Sequence, residues 1–322
     1  MPNTAVGLQT VFGTGVETVY GTPVTPTRWY GLLPGETLER RQNVLQGQSI
    51  FAGGRNVRRG EHRALTHRWG EGTVPLEVMN KGFGRWFEHI LGGTPAITGA
   101  GPYQQVFEMG SLTGKSLTIQ KGLRDQAGAT REKFTFHGCK CTTAEFTCAV
   151  GEILRMNVGI DAEDVDDTTA LAAHTYTTGT APFQWAHGAV AIEGVNVAKV
   201  MTAGIRLDNA LKTDSFFFGT GGLKGEPEPN DFPTVTGTIT MEFDQNDTVY
   251  DLYAADSGVS LELDFDAGAD ELTILVPEIH FTGETPKVGS PGVITLTAPF
   301  EAAYDGTNKS MKITYVTSDA AA

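Results

Sequence analysis

The chain has 322 residues, of which 40% are hydrophobic and 40 are glycine, and its formal net charge is -14. This length allows about two domains, each large enough to bury a core. No apolar run reaches the ~18 residues of a membrane-spanning helix and no signal peptide opens the chain, so we expect synthesis in the cytoplasm and no membrane partner.

The first 30 residues have the composition of an extended arm. They are rich in glycine and threonine, and they include Pro23 and Pro26. Proline favours extended backbone and cannot continue a helix. We therefore predict that residues 1–30 form an N-terminal arm, ordered only where it docks on other structure. A first domain is predicted at residues 31–160.

A basic loop follows at residues 47–71. It holds five arginines among glycines, namely Arg55, Arg58, Arg59, Arg63 and Arg68. Clustered arginines can mark a nucleic-acid interface. Direct nucleic-acid binding is the weaker interpretation, because the whole chain is acidic and no aromatic residues alternate with these arginines.

The clearest local pattern lies between Gly72 and Gly92. The segment from Gly72 to Val78 alternates apolar and polar residues, which is typical of a half-buried strand. Apolar residues then recur at helical spacing: Phe83, Trp86, Phe87, Ile90 and Leu91. Asn80 is predicted to cap this helix and Gly92 to end it, because glycine adopts the left-handed conformation at low cost.

An insertion at about residues 94–131 is predicted as a projecting hairpin. Its two alternating strands run from Tyr103 to Glu108 and from Ser116 to Lys121. Gly110 begins the run Gly-Ser-Leu-Thr-Gly-Lys-Ser, which has one residue too few between its glycines for a phosphate-binding loop. A strand pattern follows this run where a nucleotide site would need a helix, so we predict no nucleotide binding.

Residues 133–150 are predicted as two strands with a bulge. The apolar residues change from even to odd positions between Phe136 and Cys139, which places a β-bulge at Gly138. The chain has three cysteines: Cys139, Cys141 and Cys148. An odd number cannot pair completely and zinc would require four ligands, so we predict buried free thiols and neither a metal nor a cofactor.

The second half repeats the pattern of the first. The segment from Gly237 to Phe243 resembles the strand that begins at Gly72, and an apolar helical pattern follows it. We therefore predict a duplication, with an acidic linker at residues 161–174 and a second domain at residues 175–318. The other strands of that domain are expected near residues 189–192, 200–207, 259–265, 272–279 and 293–297.

The two halves carry opposite charge. Residues 1–160 hold 17 Lys+Arg and 12 Asp+Glu, whereas residues 161–322 hold 7 and 26. The loop that matches the arginine loop is acidic, with Glu226, Glu228 and Asp231. Because complementary charge favours contact between unlike surfaces, the five arginines and these three acidic residues are predicted at a subunit interface.

Together these segments resemble the major tail tube protein of long-tailed bacteriophages, in the subfamily with a duplicated tube domain. The resemblance covers nearly the whole chain and rests on the arm, the strand and helix between Gly72 and Gly92, the insertion, and the strands at 134–158. It implies an all-β fold with two short helices, built from two tandem sandwich or barrel-like domains and an N-terminal arm.

The resemblance also implies a structural virion protein that is not an enzyme. Such subunits form rings that stack into a tube, through which DNA is ejected into the host, and their arms and long loops reach the next ring. The expected partners are further copies of the chain and the tape-measure, tail-terminator and distal tail proteins, with assembly in the host cytoplasm. If six tube domains close a ring, three duplicated chains suffice, which predicts a homotrimer with pseudo-sixfold symmetry; a homohexamer is the alternative.

The channel of such a tube is expected to be acidic, because a basic wall would bind DNA phosphates strongly. Glu262, Asp264 and Asp266 alternate on one predicted strand and are candidates for residues that line it. Two other functions stay open. One is a related tail component, such as a tube-initiating or terminator protein. The other is a carbohydrate-binding or glycoside-cleaving β-sandwich protein, which would use aromatic platforms or paired carboxylates.

Overall fold

A computed structural model describes residues 4–49, 57–243, 248–283, 285, 286, 288 and 291–321 of the chain. Over these residues the fold is all-β with two short helices, which confirms the predicted class. The described strands of the first half are β1 (Val11–Glu17), β2 (Arg28–Tyr30), β3 (Glu39–Gln46), β4 (Arg63–Glu77), β5 (Ala96–Thr98), β6 (Tyr103–Glu108), β7 (Ser116–Arg124), β8 (Thr130–Ala149), β9 (Arg155–Ala162) and β10 (Asp164–Asp166). Helix α1 (Gly84–Leu91) joins β4 to β5.

The second half has a similar content of strands. Its described strands are β11 (Gly188–Ile192), β12 (Val195–Asn196), β13 (Val200–Asp208), β14 (Leu211–Lys212), β15 (Glu228–Pro229), β16 (Thr234–Glu242), β17 (Val259–Asp266), β18 (Glu271–Phe281), β19 (Thr295–Ala302) and β20 (Lys312–Thr317). Helix α2 (Thr248–Ala255) joins β16 to β17. Short 3₁₀ turns occur at Gly7–Gln9, Gly60–His62 and Trp185–His187.

The two halves share one order of strand pairing. The order is β1–β7–β8–β9–β4–β3 in the first half and β11–β17–β18–β19–β16–β13 in the second, and every pair is antiparallel. Helix α1 follows β4, and helix α2 follows β16, which occupies the same place in the order. This is the order that a duplicated chain would give, and it allows positions in the two halves to be matched.

The halves are joined through the sheet and through the core. The second part of β8 pairs with β9 on one side and with β13 on the other, and β6 pairs with β20. Buried side chains from both halves form one hydrophobic cluster. Within it, Phe87 of α1 packs against Tyr315 of β20, with ring centroids 5.4 Å apart. Burial of such aromatic side chains is a large favourable contribution to folding.

Helix α1 packs one face on this core. Its buried apolar residues are Trp86, Phe87, Ile90 and Leu91. Gly92 has a φ of 80° and its N–H donates to the carbonyl of Glu88 at 2.8 Å, which confirms the predicted stop. The predicted cap is wrong, because the helix begins at Gly84 and the amide of Asn80 instead donates to Asp270 of the second half at 2.7 Å.

Much of the predicted arm is docked on the sheet as two strands. β1 pairs with β7 along its whole length, and β2 pairs with β1. Phe12, Trp29 and Tyr30 of these strands are buried, and their burial stabilises the docked position. The two prolines lie only in the connection between the strands, so they do not prevent pairing.

The predicted insertion at 94–131 forms strands but not a hairpin. β6 pairs with β5 and with β20 of the second half, whereas β7 pairs with β1 and β8. Both strands bury residues on the core side, such as Phe107 on β6 and Ile119 on β7. The alternating pattern identified the strands, but the turn between them carries the chain from one sheet to another.

The bulge predicted in β8 is confirmed. Leu117 pairs with Cys139 and Ile119 with Phe136, so β8 contains one extra residue at this point. Gly138 has a φ of 62°, a conformation that glycine adopts without strain. Its N–H donates at 3.0 Å to the buried carboxylate of Glu17 on β1, which ties the bulge to the neighbouring strand.

The acidic segment predicted as a linker at residues 161–174 begins inside the sheet. β9 ends at Ala162, and β10 pairs with β8. Asp161 is buried beside Lys224, and Asp164 is buried 2.8 Å from Arg68. A buried carboxylate is tolerated when a cation pairs with it, so an acidic run need not be solvated.

Candidate assembly surfaces

Eight strands form one continuous sheet through both halves, in the order β3–β4–β9–β8–β13–β16–β19–β18. The pairing of β8 with β13 joins the halves, and Ala203 lies opposite Cys148 in this ladder. Alternate residues along these strands are buried, for example Val74 and Ile239. Because successive side chains of a strand point to opposite faces, the sheet has one core face and one outer face.

The outer face of this sheet is polar. Its threonines include Thr73, Thr147, Thr202, Thr236, Thr238, Thr240 and Thr297. Its charged residues are mostly acidic: Glu39, Glu71, Glu77, Glu145, Asp208, Glu242 and Glu301, with Arg41, Arg155 and Arg206. The excess of carboxylates gives this face a negative potential.

The strand β3 forms one end of the sheet. Among the described residues it pairs with β4 only, and its side chains are exposed or half-buried along its whole length. Such an edge presents unpaired N–H and C=O groups, to which another strand can add. At the opposite end of the sheet, Ile279–Phe281 of β18 pair with β19.

A buried group of four charges lies near the join between the halves. Lys140 of β8 and Asp161 of β9 are cross-strand partners on the outer face. The loop at residues 213–227 of the second half covers them. Its Lys224 pairs with Asp161, and its Glu226 carboxylate lies 2.5 Å from Lys140 Nζ. In each of these two ion pairs, one residue belongs to the first half and the other to the second half.

Burial controls the electrostatics of this group. It raises the pKa of Asp161 to about 6 even though Lys224 lowers it, and it lowers the pKa of Lys140 even though Glu226 raises it. Each cation is also held by a main-chain oxygen, because Lys140 donates to a carbonyl of the first half and Lys224 donates to the carbonyl of Thr213 at 3.2 Å. Buried ion pairs require such additional hydrogen bonds. The group therefore fixes the covering loop in one position.

A family model described as phage tail tube protein matches residues 7–302. The chain belongs to the phage tail tube protein family. No curated protein matches it. Members of this family are structural components of the virion that self-assemble with other tail proteins into the tail tube. The match confirms the resemblance to a tail tube protein, whereas the duplicated-domain subfamily stays a prediction.

Most of the arginines predicted for a tail tube interface are accessible. Arg58 and Arg63 are exposed and make no ion pair with another described residue. Arg59 is exposed as well, and its guanidinium lies 2.9 Å from the carboxylate of Glu61 in the same loop. Arg55 lies outside the described residues. Their role at an interface stays a prediction.

Two predicted interface residues form ion pairs within the chain. Arg68 lies 2.8 Å from the carboxylate of Asp164, and Glu226 belongs to the buried group of four charges. The other acidic candidates, Glu228 and Asp231, are exposed. A pairing of the arginine loop with a neighbouring acidic loop would therefore leave out Glu226.

The residues predicted to line the channel lie on β17. This strand pairs with β11 and β18 and is not one of the eight strands of the continuous sheet. Glu262 and Asp264 are half-buried and Asp266 is exposed. Burial raises the pKa of Glu262, and the charges of Asp264 and Glu271 raise it further. Their place in the channel stays a prediction, which their position on β17 does not favour.

The cysteines are buried free thiols, as predicted. Burial raises the pKa of Cys141 to about 12 and that of Cys148 to about 11, so neither is a thiolate near neutral pH. Within the described ranges, no cluster of three or more His, Cys, Asp or Glu is arranged to hold a metal ion. No helix in this part of the chain is both long and apolar enough to cross a membrane.

Sequence reasoning missed the buried group of four charges, apart from Glu226. Lys140 stands between two cysteines on a predicted strand, and a single charge in an apolar strand is a signal for a buried pair. Asp161 gave no such signal, because it opens a run of acidic residues. Lys224 is 63 residues away from it, and no local pattern connects the two.

Proposed function

We propose that three copies of the chain close into a ring, that rings stack into the tail tube, and that DNA passes through the central channel. The observation that carries the proposal is the pairing of β8 with β13, which joins two equivalent four-strand units edge to edge within one chain. A similar contact from β3 of one copy to the β18 end of the next would continue the sheet around the ring.

The width of the closed sheet favours three chains. With strands about 4.8 Å apart and tilted by about 40°, eight strands from each of three chains give a barrel roughly 50 Å across between backbones. Side chains narrow this channel, and a DNA duplex still fits. Two chains would give a barrel only about 33 Å across, with no clearance for a duplex once side chains line the wall. Six chains would double the width of the trimer.

The outer face of the sheet supplies the wall of this channel. It is rich in threonine and carboxylates, so it offers DNA few cations to bind. A negative wall repels the phosphate backbone and avoids the strong, salt-dependent binding that a basic wall would produce. In this arrangement Glu262 and its neighbours lie away from the channel, because β17 is not one of the eight strands that form its wall.

The shared pairing order supports the predicted duplication, with tube domains near residues 31–160 and 175–318. In a trimer of duplicated chains, every contact around the ring joins a first half to a second half. The opposite net charges of the halves favour this alternation and disfavour contacts between like halves.

Negative-stain microscopy and native mass measurement of the purified chain test the proposal. We expect rings or short tubes with a central hole and three chains in each ring. A chain that stays monomeric at high protein concentration and low ionic strength would overturn the ring, and six chains in each ring would overturn the trimer.

Proline substitution tests the role of the β3 edge. In an antiparallel strand, neighbouring residues direct their N–H groups to opposite sides, so of Arg41 and Gln42 one donates toward β4 and the other toward the free edge. Arg41→Pro and Gln42→Pro are therefore matched variants. One proline removes a hydrogen bond to β4 and should lower the stability of the isolated chain. The other removes only an N–H at the free edge, so we expect that variant to keep its stability but to lose ring formation. Normal rings from the second variant would contradict edge pairing through β3.

A further inference from the structure

Two loops occupy matching places in the two halves. One lies between β3 and β4, where residues 57–62 are described; the other joins β14 to β15 and spans residues 213–227. Near its end the first loop reads Arg59-Gly60-Glu61, and the second reads Lys224-Gly225-Glu226. In both, the glutamate stands two residues before the following strand. The two loops thus present a cation, a glycine and an anion in the same order.

The second of these segments, Lys224-Gly225-Glu226, makes its contacts within the single chain. Lys224 pairs with Asp161 and Glu226 pairs with Lys140, so the segment lies across a cross-strand pair of the other half. The side chains of Lys140 and Asp161 are only 0% and 6% exposed as a result. This contact is made by the second half on the first half.

The second half has a matching cross-strand pair. His280 of β18 lies opposite Glu301 of β19, in the place that Lys140 and Asp161 occupy on β8 and β9. Like that pair, it consists of a basic residue on the longer strand and an acidic residue on the shorter one. In the single chain this pair is uncovered, because the His280 side chain is 33% exposed and Glu301 is exposed.

We propose that the segment Arg59-Gly60-Glu61 of one chain covers the His280 and Glu301 pair of a neighbouring chain, with Arg59 bound to Glu301 and Glu61 bound to His280. This contact rests on the proposed ring, in which the first half of each chain lies beside the second half of the next. It repeats between chains the contact that Lys224 and Glu226 make within one chain.

The charges at both sides fit this contact. His280 lies 3.2 Å from both Glu278 and Asp256 in the single chain. The pKa of His280 is raised, chiefly by its hydrogen bond to Glu278. Burial lowers this pKa by a smaller amount than that hydrogen bond raises it, and Asp256 raises it as well. Glu61 would add a third carboxylate beside this imidazole. The present Arg59 and Glu61 contact is exposed, and exposed ion pairs contribute little to stability.

Cross-linking tests the contact directly. The double variant Gly60→Cys with Thr282→Cys keeps all four charges of the proposed contact, because both exposed positions only flank them. It is treated with a short bismaleimide, and each single variant is a control because the three natural cysteines are buried. Gly60→Cys with Asp305→Cys, an exposed position on another loop, is the matched control pair. We expect dimer and trimer bands from the first pair only.

The outcomes separate this contact from the ring itself. Rings on the microscope grid with no cross-linked bands would overturn the contact and leave the proposed function intact. Absence of both rings and bands from a folded chain would overturn the proposed function and the contact with it. Bands of equal strength from the control pair would show that the cross-links do not report a specific contact, which also overturns the inference.

Charge exchange provides a second, independent test. Glu301→Arg places two cations together, so we expect half-maximal assembly to need about tenfold more protein at low ionic strength, a change that close interfacial charge pairs commonly produce. Adding Arg59→Glu should restore assembly. Glu301 is exposed, so circular dichroism should show an unchanged fold. Wild-type assembly by Glu301→Arg, or no recovery in the double variant, would overturn the contact.

Discussion

Two cross-strand pairs occupy the same place in the two halves, yet their surroundings differ. Lys140 and Asp161 are buried beneath a loop of the second half, whereas His280 is half-buried and Glu301 is exposed. The strands beneath both pairs follow the same order, so the strands do not cause the difference. What differs is the presence of a covering loop, and a single chain can cover only the pair at its internal join.

The chemistry of each pair agrees with its surroundings. Lysine pairs with the half-buried Glu226 in the first half, whereas the basic residue of the second pair is histidine, whose charge changes near neutral pH. The first pair is covered within the single chain, whereas the proposed contact would cover the second pair only on assembly. The comparison predicts that substitutions at the first pair change folding, whereas those at the second change association.

Loss of Lys140 is expected to have the largest effect on folding. Lys140→Met leaves the Glu226 carboxylate without its cation in a partly buried site, and removal of one partner of a buried pair costs about 3–5 kcal/mol. Urea unfolding of the unassembled chain would measure this loss. His280→Met is the matched control in the second half, and an equal loss from that variant would contradict the comparison.

Loss of Lys224 is expected to cost somewhat less, about 3 kcal/mol, because Asp161 can take up a proton when its cation is removed. The double variant Lys224→Met with Asp161→Leu removes both charges, so we expect it to recover most of the stability. Urea unfolding of both single variants and the double variant completes the cycle. Additive losses in the double variant would show that the two side chains do not form a pair.

The sequence predicted the parts of this fold that depend on local pattern. The strand before α1, the glycine stop at Gly92, the bulge at Gly138 and most strands of the second half follow from periodicity and from the conformational freedom of glycine. Pairings between distant segments were not accessible in this way. β6 pairs with β20, which lies more than 200 residues later, and no local signal marks this partner.

The candidate surfaces were predictable to a smaller extent. Opposite charge in matching loops is a feature of the sequence. Two of the residues predicted for the interface, Glu226 and Arg68, form ion pairs inside the chain. The acidic run that begins at Asp161 is typical of a solvated linker in composition, but composition does not show which carboxylates meet a buried cation. Burial of charge is decided by the tertiary position of the partner, which a single sequence does not display.

The pH dependence of the free energy of unfolding should distinguish the buried carboxyl group of Asp161 from exposed carboxyl groups. The pKa of Asp161 is raised from 3.8 to about 6 in the folded chain, so the folded state binds more protons than the unfolded state between these values. Stability contributed by this group therefore falls as pH rises, by about 2 kcal/mol between pH 4 and 6. Asp161→Asn should lack this component, and the difference between the two unfolding curves measures it.

Substitution of the exposed pair should have the smallest effect on folding. His280→Gln and Glu301→Gln are each expected to change the free energy of unfolding by less than about 1 kcal/mol, because Glu301 is exposed and half-buried His280 makes surface ion pairs with Asp256 and Glu278. The same variants should weaken ring formation if the pair is covered in the assembly. Urea unfolding and sedimentation of the same samples separate the two effects. A large loss of folding stability would mean that the pair already acts inside the single chain, in which case the difference between the halves could not come from assembly.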